Sequence, residues 1–239
     1  MSKSFLVDTT LCTACRGCQV ACKQWHDLPA EETVNRGSYQ NPADLSFDTY
    51  KLVRMREEVI DGKLRWLFFP DQCRHCMEPP CEATAGEPTA IFTEAASGAV
   101  IYTANTRGLD AADIRESCPY DIPRKAEDGT IAKCDMCSDR VENGLLPACV
   151  KVCPTGAMNF GERDDILQLA QKHLKIAQKK YPAATLLDPD DVRTIYLVGF
   201  DPNLYHQNAV ASVKAYGISR QAALRKMFRP FSGMVSRMG

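Results

Sequence analysis

Runs of β-forming residues predict two hairpins in the first half of the chain. Residues 50–59 and 63–69 flank Asp61-Gly62, a dipeptide that tight two-residue hairpin turns favour. Residues 90–93 and 99–103 are shorter and flank a small-residue turn that contains glycine, so they predict a second, shorter hairpin.

Apolar residues at helical spacing predict one long helix in residues 164–181. One face carries the apolar side chains, and lysines point away from it. The helix should end before Pro182, because proline disfavours the helical conformation in the residue that precedes it. Residues 194–200 are expected to form a strand. The apolar face consists of Ile166, Ala170, Leu174 and Ala177, and the lysines are Lys172, Lys175 and Lys179.

The composition is that of an ordinary globular protein. The 239 residues are 45% hydrophobic and 25% charged, which excludes a disordered chain and a collagen-like repeat. With 29 basic and 30 acidic residues the net charge is -1, so no overall field would attract nucleic acid or an anionic membrane. No stretch is long and apolar enough for a membrane span or a secretory signal. We therefore expect a soluble protein without an export signal of its own.

The unusual feature is the presence of 12 cysteines in three groups. The first group has gaps of two, two and three residues. The middle group has gaps of two and four residues, with a distant Cys-Pro. The last group has gaps of two, eleven and three residues and also ends in Cys-Pro. The groups are Cys12, Cys15, Cys18 and Cys22; Cys73, Cys76, Cys81 and Cys118; and Cys134, Cys137, Cys149 and Cys153.

This spacing is typical of 4Fe–4S clusters. A 4Fe–4S cube needs four thiolates, and gaps of two residues let a short loop place three of them around it. The bacterial ferredoxin run Cys-x2-Cys-x2-Cys-x3-Cys-Pro does this, and its fourth cysteine binds the other cluster of a pair. The first group matches the run except that Lys23 replaces the proline. The last group keeps the ending but lengthens one gap.

Cross-ligation then predicts three clusters, each held by four cysteines that we call a thiol set. Because each fourth cysteine follows one helical turn after its loop, it should reach the partner cluster, so the two ends of the cysteine region must meet in space. The first thiol set is Cys12, Cys15, Cys18 and Cys153; the second is Cys134, Cys137, Cys149 and Cys22; and the third is Cys73, Cys76, Cys81 and Cys118.

The middle of the chain also indicates that a fourth cluster is absent together with all four of its ligands. Extending its two partial motifs to the full ferredoxin run gives four positions at which a cysteine is absent. These positions form one complete ligand set under the cross-ligation rule. They are occupied by Ala85, Gly108, Ala111 and Ile114.

Zinc and disulfides are the alternative uses of these cysteines. Structural zinc sites pair two-residue gaps as two plus two, which the triple run of the first group does not suit. Six disulfides would require cysteines two residues apart to find separate partners. The spacing therefore favours clusters, and a zinc-binding interaction module would be recognised by zinc in the purified protein.

The motifs resemble the iron–sulfur subunits of molybdenum or tungsten pterin oxidoreductases. Within that family, residues 12–25 (CTACRGCQVACKQW), 38–42 (SYQNP) and 118–123 (CPYDIP) are similar to the beta subunit of formate dehydrogenases. The chain departs from the family's usual pattern by lacking one cluster and the C-terminal membrane helix of membrane-bound relatives.

The resemblance implies an electron-transfer subunit with no catalytic residues of its own. Electrons from formate oxidation on a larger Mo/W-pterin catalytic subunit, its partner in a heterodimer, would pass through the clusters to a soluble acceptor such as a cytochrome. It implies a periplasmic location, reached by co-export with the catalytic subunit, and a cytoplasmic one otherwise. The same relay in a nitrate, polysulfide or dimethyl sulfoxide reductase, or in a hydrogenase, stays open.

Several residues other than the cysteines also need an interpretation. His75, between two ligands, is interpreted as a hydrogen-bond donor that tunes a cluster. Lys133 either stabilises a reduced cluster or is a solvated lysine. Trp25 and Trp66 are interpreted as core or interface aromatics. The remaining histidines are interpreted as ordinary surface or packing residues: His26, His173 and His206.

The predicted fold class is α+β. Two bacterial-ferredoxin-like units, one inserted in the other, carry hairpin insertions and a C-terminal helical extension. Residues 1–34 and 128–163 form the first unit, 35–127 the inserted unit with one retained cluster, and 164–239 an extension that docks a partner. The basic tail that would contribute to docking contains Lys214, Arg220, Arg225, Lys226, Arg229 and Arg237.

Overall fold

The computed structural model describes residues 2–211 and has a mixed α+β architecture, as the sequence predicts. The strands of this part are β1 (Lys3–Asp8), β2 (Leu52–Ile60), β3 (Lys63–Asp71), β4 (Ile91–Thr93), β5 (Val100–Tyr102), β6 (Arg124–Lys125), β7 (Ile131–Ala132), β8 (Met158–Glu162), β9 (Thr185–Leu187) and β10 (Thr194–Val198). The α-helices are α1 (Gly17–Trp25), α2 (Pro80–Ala85), α3 (Ala111–Ser117), α4 (Ser138–Glu142), α5 (Ala148–Lys151), α6 (Arg163–Gln178) and α7 (Pro202–Tyr205).

A four-stranded sheet in the order β8-β1-β10-β9 organises the molecule. Strand β1 pairs antiparallel with β8, where Phe5 lies opposite Phe160, and parallel with β10, where Phe5 lies opposite Thr194. The two ends of the cysteine region therefore meet in space, as predicted. The sequence did not indicate that β9 and β10, from the predicted extension, would complete this same sheet.

Both predicted hairpins are confirmed. Strands β2 and β3 pair over nine residues each, and Asp61 and Gly62 at the turn have φ angles of 51° and 68°. Such positive values suit a tight turn of this kind. Strands β4 and β5 form the second, shorter hairpin.

The predicted helix and final strand are confirmed, and both end earlier than expected. Helix α6 ends at Gln178 because the next N–H groups, from Lys179 and Lys180, bond three residues back and tighten the turn. Strand β10 ends at Val198 because the Gly199 N–H donates to the Tyr205 hydroxyl instead of continuing the ladder.

Three hydrophobic cores hold these elements together. Two lie against the central sheet, around Phe5 and Leu6 of β1. The third core is smaller, lies in the middle of the chain, and includes Ile91, Ile114 and Ile131. Helix α1 packs against α5, and α2 packs against α3, so each pair of cysteine-bearing segments has its own helix contact.

The third core contains three of the four positions at which a cysteine is absent. Ile114 is buried there, and Ala85 and Ala111 pack against it. Apolar side chains therefore lie together at the place where the missing ligands would be.

None of the helices in residues 2–211 has the length and apolar character that a membrane crossing requires. The basic tail and its predicted docking role lie outside the described residues.

Candidate metal centres

Three loops with the same local geometry carry the first cysteines of the three groups. In each loop, the residue two positions after the first cysteine has a positive φ: 53° at Ala14, 47° at His75 and 67° at Met136. The backbone N–H of that residue donates to the sulfur of the first cysteine, with N···S distances of 3.5, 3.3 and 3.5 Å. The chain thus winds around each site and directs backbone N–H groups toward sulfur. Hydrogen bonds to sulfur are one means by which proteins set cluster potentials.

Members of the first thiol set interact with one another electrostatically. Burial raises the pKa of Cys12 to about 11, the Ala14 N–H opposes this, and nearby Cys18 and Cys153 raise it further. Burial also raises the pKa of Cys18, and its neighbours Cys15 and Cys153 add to the effect. The predicted set is therefore brought together, although Cys153 is more than a hundred residues from the other three members in sequence.

The second set is assembled in the same way. Burial raises the pKa of Cys149 to about 12, and Cys22 is among the thiols that raise it. Burial also raises the pKa of Cys137, with contributions from Cys149 and Cys22. Burial also raises the pKa of Cys134, and Cys22, Cys149 and Cys73 of the third set add to the effect.

The third set lines a single small cavity. Its four cysteines share this cavity with Tyr102 and Lys133. Burial raises the pKa of Cys118 to about 12, and Cys81 and Cys73 raise it further. The Tyr102 hydroxyl is buried beside Cys81 and meets no partner of regular hydrogen-bond geometry in residues 2–211.

The donor sets fit metal clusters. All twelve cysteines are free thiols, so the described chain contains no disulfide. Thiols with raised pKa values would stay protonated at neutral pH, whereas a metal deprotonates the thiol that it binds. Convergent thiols that are mostly buried therefore suit a thiolate-bound metal group.

Two buried lysines lie among the sets. The Lys51 ammonium donates to Gln72 Oε1 and lies 3.4 Å from Pro70 O, and the residue is 2% exposed. Burial alone would lower the pKa of Lys51, but the thiols of Cys18 and Cys149 raise it.

Lys133 is 5% exposed, so the interpretation of a solvated lysine is wrong. Its ammonium donates to the carbonyls of Val100 and Cys134, the latter at 2.9 Å, and lies 4.6 Å from the centre of the Tyr102 ring.

The His75 side chain was interpreted as a hydrogen-bond donor, but its one observed hydrogen bond in residues 2–211 is accepted by the ring. The imidazole Nδ1 accepts a hydrogen bond from the Val100 N–H at 3.0 Å, and burial holds the pKa of the ring well below its usual value. The ring is therefore neutral, and its buried Nε2 meets no partner in residues 2–211. The observed donor to a cysteine is the backbone N–H of His75, which bonds Cys73.

His26 has a role that sequence reasoning missed. Its Nε2 bonds Asp135 Oδ1 at 2.9 Å, and its Nδ1 lies 2.9 Å from Cys22 O. It therefore links the first and last motifs beside the second thiol set. A partner 109 residues away in sequence leaves no local signal. The other two histidines are packing residues: His173 Nδ1 lies 2.8 Å from Asp8 Oδ2, and His206 is half-buried.

Neither tryptophan belongs to a core, which leaves the interface interpretation. Trp25 is 43% exposed, donates to Asp139 at 3.0 Å and lies under the Arg140 guanidinium. Trp66 is 60% exposed and contacts Tyr39 on the surface.

An acidic groove of about 990 Å³ lies beside the third set. Cys76 and Tyr120 line both this groove and the cavity of the third set. No lysine, arginine or histidine is among the residues that line the groove in the described chain. Its carboxylates belong to Glu78, Glu82, Glu87, Asp190 and Asp191.

Comparison with known proteins agrees with this geometry. The family model of a 4Fe-4S dicluster domain matches residues 64–163. The chain is 57% identical to the formate dehydrogenase subunit beta of Megalodesulfovibrio gigas, over 88% of this chain and 100% of that protein. It is 50% identical to the formate dehydrogenase 2 subunit beta (cytochrome c-553) of Nitratidesulfovibrio vulgaris, over 87% of this chain and 99% of that protein.

A more distant relative is the nitrate-inducible formate dehydrogenase iron-sulfur subunit of Escherichia coli, 37% identical over 84% of this chain and 70% of that protein. These matches confirm the resemblance inferred from the cysteine motifs. The chain therefore belongs to the family of formate dehydrogenase beta subunits, the iron–sulfur electron-transfer subunits of that enzyme complex.

Proposed function

We propose that this chain holds three 4Fe–4S clusters, one in each thiol set, and relays electrons from a catalytic subunit to an external acceptor. The observation that carries the proposal is the grouping of twelve free thiols into three sets of four. Each cluster, once bound, accepts and passes on one electron at a time.

Contacts between the sets support a linear order. Cys149 of the second set interacts with Cys18 of the first, and Cys134 of the second interacts with Cys73 of the third. The second set is thus adjacent to both others, and the relay runs first, second, third or the reverse.

The electron source in this proposal is a larger Mo/W-pterin subunit that oxidises formate and forms a heterodimer with this chain. All three relatives described above carry the name formate dehydrogenase, which favours this source over the nitrate, polysulfide and dimethyl sulfoxide reductases and the hydrogenases. We propose a periplasmic location through co-export with that partner, and a cytoplasmic one if the partner carries no export signal.

A soluble, basic electron acceptor such as a cytochrome would suit the end of the relay at the third set. The acidic groove borders the third set, so a cationic protein docked there would lie next to the cluster that we propose for that set. The name of the Nitratidesulfovibrio vulgaris relative mentions cytochrome c-553, which supports an acceptor of this class.

Metal analysis of the full chain, purified anaerobically with whatever subunit accompanies it, tests the proposal. We expect four irons for each of three cubes, about a dozen per chain, with matching sulfide. Formate should reduce them when the partner is present. Zinc in place of iron, or substantially fewer irons after reconstitution, would contradict the proposal.

Replacing Cys118 with alanine tests the assignment of individual ligands. Cys118→Ala should remove the cluster of the third set, or convert it to a form with fewer irons, and spare the other two. Electron paramagnetic resonance (EPR) before and after reduction would count the remaining clusters. Ser117→Ala is the matched control, since within residues 2–211 the Ser117 hydroxyl donates only to Ile114 O, at 2.8 Å. Loss of all three signals from a folded Cys118→Ala protein would refute the assignment.

A further inference from the structure

Lys51 and Lys133 are buried cations that form no ion pair with a carboxylate. Among residues 2–211, neither takes part in any ion pair. Their hydrogen-bond acceptors are neutral oxygens: an amide and a carbonyl for Lys51, and two carbonyls for Lys133. By contrast, the buried residues Arg54 and Arg74 both form ion pairs with the carboxylate of Asp71.

Burying an ammonium group without a counter-charge destabilises the folded protein. Taking a charge out of water costs several kilocalories per mole unless an opposite charge compensates it. Neutral oxygens provide only part of that compensation. The acidic groups that act most strongly on the Lys51 ammonium are the thiols of Cys18 and Cys149.

Each lysine lies at a junction between two neighbouring thiol sets. Lys51 interacts with Cys18 of the first set and Cys149 of the second. Lys133 lines the cavity of the third set, interacts there with Cys81, and donates to the backbone carbonyl of Cys134 in the second. The two lysines therefore alternate with the three sets along the relay.

We propose that Lys51 and Lys133 are fixed counter-cations at the two junctions of the relay and raise the potentials of the clusters on either side. This inference rests on the proposed function. Adding an electron to a cluster adds one negative charge, and a positive charge buried nearby stabilises that reduced state. Because proteins screen buried charges weakly, the effect should exceed that of any surface lysine. Both lysines are positioning residues, since they act on the clusters without binding iron.

Lys51→Met is the direct test, because methionine keeps an unbranched side chain and removes the charge. An anaerobic redox titration of the full chain, followed by EPR, would resolve the cluster midpoint potentials. We expect two of the three couples to become harder to reduce. At a fixed potential their ratio of reduced to oxidised cluster should fall about tenfold, which corresponds to about 59 mV for one electron. The third couple should stay unchanged.

Lys133→Met provides the reciprocal measurement. The couple that Lys51→Met leaves unchanged should be the one that Lys133→Met lowers most. Lys51→Arg keeps the positive charge and should largely retain the wild-type potentials. Lys175→Met removes the same charge from the exposed face of α6 and should move none of the couples.

The outcomes separate this inference from the proposed function. Three couples in the wild type, with none shifted by Lys51→Met at full iron content, would overturn the role of the lysines and leave the relay intact. Fewer than three clusters in the wild type would overturn the proposed function itself. If Lys51→Met does not fold, Lys133→Met carries the same test, and unchanged potentials there would refute the inference.

Discussion

Ile114 lies at one of the positions where a cysteine is absent, and shortening it should selectively weaken the cluster that we propose for the third thiol set. The side chain is 1% exposed and belongs to the third core. Helix α3, which carries Ile114, ends immediately before Cys118 and packs against α2, which carries Cys81. Two of the four ligands are thus held by a helix contact to which Ile114 contributes.

The structure sets the size of the effect. Replacing a fully buried isoleucine with alanine costs about 2–5 kcal/mol, from lost burial and the cavity left behind. Because that loss falls on the α2–α3 contact, we expect Ile114→Ala to release iron to a chelator faster from the third set than from the other two. Time-resolved iron release, with EPR of the remaining clusters, measures this.

Ile166→Ala is the matched control. Ile166 is 4% exposed and belongs to the core around Leu6, which is separate from the third core and contains cysteines of both the second and the third set, Cys134 and Cys73. It should lower the melting temperature without selecting one cluster. Equal loss of all three clusters from Ile114→Ala would refute the idea that the third core supports the third set in particular.

Two further changes test other parts of the structure. The double change Glu78→Lys and Asp190→Lys should slow the reduction of a small cationic cytochrome about tenfold or more at low salt, because the acidic groove loses its charge complementarity. The rate should also depend less on salt concentration. An unchanged salt dependence would rule out docking in the groove. Gly98→Ala should lower the melting temperature far more than Gly62→Ala. Both glycines have positive φ, but a Cβ at Gly98 would overlap the Arg193 side chain, whereas Gly62 faces open space. Equal shifts would contradict this.

Local patterns made much of the fold predictable. The Asp61-Gly62 turn and the apolar face of α6 depend on neighbours in sequence, so spacing alone revealed them. The thiol sets were predictable for a different reason: four ligands must converge on one cluster, and that requirement links distant cysteines by a chemical rule. The mutual interactions of Cys12, Cys18 and Cys153 agree with the rule.

Features that depend on distant, chemically ordinary residues were not predictable. The parallel pairing of β1 with β10 joins strands almost two hundred residues apart, and no motif marks it. Lys51 lies in an unremarkable stretch of sequence, and only folding reveals that it is buried among thiols. The contact between His26 and Asp135 is of the same kind: each residue is common on protein surfaces, and their meeting depends on how the first and last motifs pack.

The third core also explains how the middle of the chain can hold together with one thiol set where the cysteine pattern allows two. Metal binding contributes folding free energy, and a structural zinc site in a small finger supplies about 10–16 kcal/mol. A segment that lacks four ligands has to be stabilised in another way. Fully burying a large aliphatic side chain contributes about 1.5–3 kcal/mol, and Ile91, Ile114 and Ile131 are all buried in this core. Ile114 itself occupies a position where a ligand is absent. Apolar packing therefore stabilises this part of the fold here, whereas a metal cluster would stabilise it in a chain that kept the cysteines. Helices α2 and α3 therefore keep their contact without a fourth cluster, and Cys81 and Cys118 stay in place to serve the third.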